Sequence, residues 1–213
     1  MWSQRVFDVA FAVLLLIPLA PVMAGVALAL YLSEGRPVLY GAERMRSVTE
    51  GFTLWKFRTM RPVAEDSGVS GGDKADRITP FGRWLRATRL DELPQLWNIL
   101  RGDIGFVGPR PPLRRYVERF PGLYARVLES RPGVTGLATL TFQQHERQIL
   151  SQSTSAAQTE ALYQRRCVPR KATLDLIYQR NRSLCLDLSL IVQTGLGVLT
   201  RHKSPKRRAK RRS

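Results

Sequence analysis

From Val9 to Leu32 the chain runs 24 residues without a charge. At ~1.5 Å per residue, one helix of this length crosses ~30 Å of hydrocarbon. Pro18 and Pro21 lie in its middle. Each removes a backbone donor, which leaves the carbonyls of Leu14 and Ile17 without their usual partners. Prolines also occur in helices that pass straight through a bilayer. A spanning helix, and a helix broken at the prolines that enters and leaves on one face, therefore stand level on these residues. Arg5 precedes the segment and Arg36, Arg44 and Arg46 follow it, so the flanks give no inside–outside asymmetry. A cleaved signal peptide ending near Ala27-Leu28-Ala29 fits less well, because Asp8 sits in its leader and the apolar run continues to Leu32.

Past this segment the pattern shortens. Val38-Leu39-Tyr40 and Phe52-Thr53-Leu54-Trp55 predict short strands around a polar turn at Ser47 to Gly51, with Lys56-Phe57-Arg58-Thr59-Met60 directly after. Residues 64–76 are rich in Gly and Asp and predict a loop. Phe81, Trp84 and Leu85 have helical spacing, as do Leu93, Leu96, Trp97 and Leu100. Pro94 suits a first helical turn, which predicts a helix opened by Asp91 and Glu92. A helix N-terminus favours an ionised carboxylate and a bound phosphate alike. Asp91 there is either a nucleophile for phosphorus or a simple cap. After Pro109-Arg110-Pro111-Pro112, two short helical pieces flank Pro121-Gly122, and Arg131-Pro132-Gly133 predicts a turn. Residues 143–171 are polar and helical in character. Leu188, Ile191, Val192, Leu196 and Leu199 trace an apolar stripe that suits either a membrane surface or the core. There is no internal repeat, no Walker loop and no Gly-x-Gly-x-x-Gly.

Charge narrows the partners. The net charge is +17, from 34 Lys and Arg against 17 Asp and Glu. Eight of the basic residues fall in the acid-free stretch from Arg201 onwards, and removing those eight from +17 still leaves +9. A basic body suits an anionic partner: phosphate esters, anionic lipid or nucleic acid. The two cysteines, Cys167 and Cys185, have neither zinc-site spacing nor a neighbouring His, and read as reduced, partly buried thiols. Lys56 and Arg58 alternate like a solvated strand face, and Arg86 and Arg110 each have an equally plain structural reading.

Taken together and in order, these segments resemble the bacterial sugar transferase family, the monotopic phosphoglycosyl transferases that start glycan assembly on a polyprenyl phosphate. The resemblance runs through the proline-containing apolar segment, Gly35-Arg36-Pro37-Val38, Glu43-Arg44, Lys56-Phe57-Arg58-Thr59-Met60 and Arg86. It continues through Asp91-Glu92-Leu93-Pro94-Gln95-Leu96, Arg101-Gly102-Asp103, Gly108-Pro109-Arg110-Pro111 and Arg131-Pro132-Gly133-Val134-Thr135-Gly136, and closes on Asn181-Arg182-Ser183-Leu184 with Asp187. Each motif is weak alone, and the ordered set is specific. The resemblance implies transfer of a sugar 1-phosphate from a UDP-sugar to undecaprenyl phosphate with release of UMP, through a phosphosugar carried on Asp91. It implies that Asp91, Glu92, Lys56 and Arg86 are catalytic, that Arg58 and Arg110 bind substrate phosphate, and that Glu92 helps to hold Mg²⁺.

The fold expected from this reading is α+β and mainly helical. Residues 1–34 form a proline-broken re-entrant membrane helix, and residues 35–200 form a compact cytosolic catalytic domain with short strands and interfacial amphipathic helices. Residues 201–213 form a basic tail. Such a protein sits monotopically on the cytosolic face of the bacterial inner membrane, with membrane lipid as a partner and no nucleic acid. A basic membrane-bound interaction protein without chemistry is the competing class, and the acidic pair among basic motifs argues against a nucleic-acid surface. Two departures stand out. Family members often carry Ser-Pro at the membrane break, where this chain has Ala20-Pro21. After Gly136 the family often continues Gln-Val-x-Gly-Arg, where this chain has Leu137-Ala138-Thr139-Leu140-Thr141-Phe142. The latter region bears on the sugar or nucleotide, so the sugar, its pathway and the oligomeric state stay open. The large relatives carry a further multi-span domain, against which this chain reads as a minimal catalytic unit.

Overall fold

A computed structural model describes residues 2–62 and 76–202. Apart from Asp76, the Gly- and Asp-rich loop read at 64–76 lies outside these residues, as does the basic tail beyond His202. The fold is mostly helical with a few short strands.

Helix α1, Trp2–Glu34, runs without interruption and contains both Pro18 and Pro21. The expected interruption at the prolines is thus not seen in the helix, and tertiary packing supplies a reason. On the N-terminal side of Pro18, Phe11, Ala12, Leu15 and Leu16 pack with Ile99, Ile104 and Phe106. On the C-terminal side of Pro21, Met23, Val26 and Leu30 pack with Phe57 and Leu85. Both prolines lie on the exposed side, so the packed face stays continuous, and packing rather than propensity holds the helix. Among the described residues α1 alone is long and apolar enough to cross a membrane.

Both ends of α1 are fastened to the rest of the molecule. Arg5 donates to the carbonyls of Ile99 and Leu100 in the last turn of the helix Gln95–Arg101, where the Ile99 carbonyl also accepts from the Gly102 amide at 3.0 Å. Asp8 Oδ1 accepts from the Phe106 amide at 3.1 Å, and Gln4 donates to Asp187 at 3.2 Å. At the far end, the Arg58 guanidinium donates to the carbonyls of Glu34 at 2.8 Å and Gly35 at 3.0 Å.

Strands β1, Leu39–Met45, and β2, Gly51–Phe57, form the expected antiparallel hairpin, in register from Leu39↔Phe57 to Met45↔Gly51. Helix α2, Pro80–Thr88, is capped by Thr79, whose Oγ1 accepts from the Gly82 amide at 2.9 Å. It ends at Arg89, whose φ of 58° is left-handed. That reversal corrects one expectation. Asp91 and Glu92 do not open the following helix but sit in a separate 3₁₀ turn, Leu90–Glu92, and helix α3 begins only at Gln95 and ends at Arg101.

Strands β3, Gly105–Val107, and β4, Gly133–Thr135, pair in parallel. The turn expected at Arg131-Pro132-Gly133 therefore leads straight into a strand. Helices α4, Arg114–Arg119, and α5, Pro121–Val127, follow β3. The polar region 137–180 forms α6, Leu137–Leu150, α7, Ala156–Leu162, a π turn, and α8, Val168–Arg180. Tyr116, Tyr124, Phe142, Tyr163 and Val168 make the core between these helices. Helix α9 spans Leu184–His202. Its Leu190 is buried, whereas Leu188, Val192 and Leu196 are exposed, so most of the apolar stripe faces outward. Cys167 is buried and Cys185 exposed, both free. The expected partial burial of both thiols fails at Cys185, which lies at the exposed start of α9.

Candidate active site

Four segments converge on one cleft of about 730 Å³. Lys56 comes from the end of β2, Arg86 from α2, Asp91 and Glu92 from the 3₁₀ turn, and Arg110 from the loop after β3. Asn98 explains how the hairpin and the turn are held together. Buried on α3, it accepts from the Trp55 amide at 3.0 Å and donates to the Thr53 carbonyl at 2.8 Å and to Asp103 at 2.9 Å. The Arg110 loop is fixed by strand pairing that continues past β3. The Gly108 amide donates to the Thr135 carbonyl and the Gly133 amide to the Pro109 carbonyl, each at 2.9 Å. A Cβ at Gly108 would collide with the Arg131 carbonyl, so only glycine lets these backbones approach so closely.

The two adjacent carboxylates have different surroundings. Glu92 Oε1 accepts from Lys56 Nζ at 3.1 Å and from Arg110 at 2.8 Å, and its Oε2 accepts from Arg89 at 3.4 Å. Burial alone would raise its pKa, but Arg110, Lys56 and Arg89 outweigh burial and hold it well below the usual carboxylate range. Asp91 is buried, and among the described residues nothing hydrogen-bonds to its carboxylate. Burial first, and then the charge of Glu92, push its pKa up to about 6, against the pull of Lys56, Arg86 and Arg110. Burial also lowers the Lys56 ammonium, with Glu92 opposing that change.

Lys56, Glu92 and Arg110 are thus in direct contact, and Arg86 and Asp91 stand close enough for their charges to act on each other. Arg86 also donates to Thr59 Oγ1 at 2.8 Å. Arg58 stands apart: it lines the cleft, but its hydrogen bonds go to the end of α1. Among the described residues no group of three His, Cys, Asp or Glu is clustered for a metal ion.

Several cleft residues escaped sequence reasoning. Arg89 bridges Glu92 and Gln143, the latter at 3.0 Å. Its only sequence signal is its place just before Leu90-Asp91. Lys171 and Asp175 also line the cleft, as does Arg44, which the sequence signalled only within the Glu43-Arg44 motif. Lys171 and Asp175 come from a helix whose sequence carries no motif. As a whole the arrangement offers a desolvated carboxylate free to react, ringed by cations that suit a phosphate ester.

A protein-family model described as bacterial sugar transferase matches residues 1–201. The chain is 35% identical over 202 residues to the undecaprenyl-phosphate glucose phosphotransferase of Komagataeibacter xylinus, covering 91% of this chain and 35% of that protein. It is also 35% identical over 202 residues to the UDP-glucose:undecaprenyl-phosphate glucose-1-phosphate transferase of Caulobacter vibrioides, covering 92% and 70%. A third relative, the UDP-N-acetylgalactosamine-undecaprenyl-phosphate N-acetylgalactosaminephosphotransferase of Aeromonas hydrophila, is 29% identical over 203 residues, covering 92% and 44%. The chain therefore spans less than half the length of several of the relatives that it matches.

Proposed function

The chain belongs to the bacterial sugar transferase family, and we propose that it transfers a sugar 1-phosphate from a UDP-sugar to undecaprenyl phosphate, the first membrane step of glycan assembly. The observation that carries this reading is the contrast within the acidic pair. Glu92 is matched by three cations, while Asp91 beside it presents a buried carboxylate without a hydrogen-bond partner among the described residues.

In the proposed reaction an Asp91 oxygen attacks the sugar-bearing phosphorus. The bond from that phosphorus to the bridging oxygen breaks, and UMP leaves with the oxygen. A phosphate oxygen of undecaprenyl phosphate then attacks the same phosphorus and frees the Asp91 carboxylate. No proton need move in either step. Two in-line exchanges replace one encounter of two bulky anions. Lys56, Arg86 and Arg110 spread the developing negative charge, and Glu92 sets the positions of Lys56 and Arg110 by bonding to both. Arg58 acts at a distance by holding the end of α1 beside the turn, where Leu90 and Leu93 pack with Leu30.

The carboxylates fit the preference of Mg²⁺ for oxygen donors. A carboxylate has about four lone-pair positions, and three on Glu92 are taken by cations. Glu92 would hold Mg²⁺ through the fourth, with Asp91 beside it and substrate phosphate and water completing the shell. When bound, the ion would add positive charge against the diphosphate.

The two ends of α1 support a monotopic placement on the cytosolic face of the bacterial cytoplasmic membrane. If the helix crossed a bilayer, either the Arg5 and Asp8 bonds or the Arg58 bonds would have to break. The exposed side of α1, with Leu14 at 63% and Ile17 at 73% exposure, joins Trp84, Trp97, Leu188 and Val192 in a supply of exposed apolar side chains that suits lipid. The direct test is UMP release by the protein in lipid discs, given a panel of UDP-sugars, Mg²⁺ and undecaprenyl phosphate. Release from at least one donor is expected, and none from any donor would overturn the reading.

A further inference from the structure

The cleft extends past the reacting groups to an inner lobe between α5, α6 and α8, lined by Tyr124, Glu146, Tyr163, Lys171 and Asp175. The lobe adjoins the site electrostatically, since Arg110 responds to the charges of both Glu92 and Glu146. Lys171 is fully engaged: its ammonium donates to Glu146 at 3.1 Å and to the Tyr163 hydroxyl at 3.3 Å. Asp175, one turn further along α8, is only 7% exposed and has no hydrogen-bond partner among the described residues. The Tyr124 hydroxyl, close enough for the Asp175 charge to act on it, has none either.

A buried carboxylate without a donor is costly unless a ligand supplies one. Burial pushes Asp175 up to about 7, which marks the same lack. An ionised carboxylate only accepts hydrogen bonds. The pairing edge of uracil offers a carboxylate one N–H, flanked on both sides by carbonyl lone pairs. Sugar hydroxyls each carry a proton to give, and the Tyr124 hydroxyl can donate or accept in return.

We propose that the inner lobe receives the transferred sugar, with Asp175 accepting its hydroxyl protons and thereby setting which sugar is used. This inference rests on the transferase reading and deepens it. In that reaction the sugar stays on Asp91 while UMP leaves and lipid phosphate replaces it. The retained group needs a part of the cleft that the exchanged UMP and lipid phosphate do not occupy.

The test measures kcat/KM for UDP-glucose, UDP-galactose and their N-acetylamino counterparts, together with inhibition by UMP, for the wild type, Asp175→Asn and Tyr124→Phe. Asp175→Asn should lose roughly tenfold or more on the preferred donor, because one buried acceptor is disturbed. It should also narrow the ratio between best and worst donors, while UMP inhibition changes less than about twofold. An unchanged donor ratio would overturn the proposal. So would UMP inhibition weakened as much as kcat/KM, which would make the lobe a nucleoside pocket. If melting shows Asp175→Asn to be unfolded, Tyr124→Phe keeps the core packing and decides the matter by the same two readouts. A wild type that releases UMP from no donor would bring down the reaction itself, and the sugar lobe with it.

Discussion

Asp91→Asn is expected to abolish transfer and yet to stabilise the protein at neutral pH. Burial and the Glu92 charge raise the Asp91 carboxyl from 3.8 to about 6 in the fold, against ~3.9 in an unfolded chain. A raised value means that folding favours the protonated form. The fold is therefore favoured by this residue below the unfolded value and loses that contribution as pH rises through about 6. At about 1.4 kcal/mol per tenfold change in proton affinity, the ionised carboxylate destabilises the fold by about 3 kcal/mol at pH 7.5. Asparagine keeps the shape and removes the charge. An imperfectly bonded amide offsets about 1 kcal/mol of the relief, which leaves about 2 kcal/mol, or a Tm higher by about 4–8 °C. Melts of both proteins in identical lipid discs between pH 8 and 4.5 would measure this. The gap should start to shrink as pH falls below about 6, where the wild-type carboxyl takes up its proton, and keep shrinking towards the unfolded value near ~3.9. A gap independent of pH, or an Asn variant that melts below the wild type at pH 7.5, would show that the buried charge of Asp91 does not destabilise the fold.

Glu92→Gln should lower kcat at least about a hundredfold even at saturating Mg²⁺, because Lys56 and Arg110 lose the carboxylate that positions both, and small misplacements of such groups cost on the order of a hundredfold. Full recovery at high Mg²⁺ in steady-state assays would reduce Glu92 to a metal ligand. Arg58→Ala should lower the Tm, by about 1–3 kcal/mol of lost stability, through the unpaired carbonyls of Glu34 and Gly35, with little change in donor KM. A raised KM at unchanged Tm would instead place Arg58 on substrate phosphate. Ser3→Cys and Ser33→Cys, each introduced after replacing Cys167 and Cys185 by Ser, should both be protected from an impermeant thiol reagent in intact cells. Labelling of one alone would mean that α1 crosses the membrane.

Where hydrophobic spacing extended over many residues, the fold was legible. Alternation around a polar turn located the β1–β2 hairpin, and the uncharged run located α1. Spacing could not report β3 and β4, three residues each and paired across the intervening α4 and α5. The Pro94 rule placed Asp91 in a helix because nothing in the residue type forewarns that Arg89 takes a left-handed φ, a conformation that glycine usually supplies. The candidate site residues were legible as motifs, since Lys56, Arg86, Asp91, Glu92 and Arg110 do gather at one cleft. Arg58 shows the limit: its alternation with Lys56 says nothing of the carbonyls it meets at the end of α1. Asp175 and Lys171 carry no local signal, because their meaning arises only when α8 folds beside Arg110. The prolines of α1 also mislead when read locally, since packing on both sides of them keeps the helix continuous.

On this proposal Asp91 carries the phosphosugar between donor and acceptor. Intact-protein mass spectrometry of the wild type, mixed with Mg²⁺ and its best UDP-sugar but no lipid acceptor, tests it most directly. An added mass equal to the sugar 1-phosphate less one water is expected, located on Asp91, absent from Asp91→Asn and discharged when undecaprenyl phosphate is added. No adduct, with UMP released only once the lipid acceptor is present, would mean direct transfer and would contradict it.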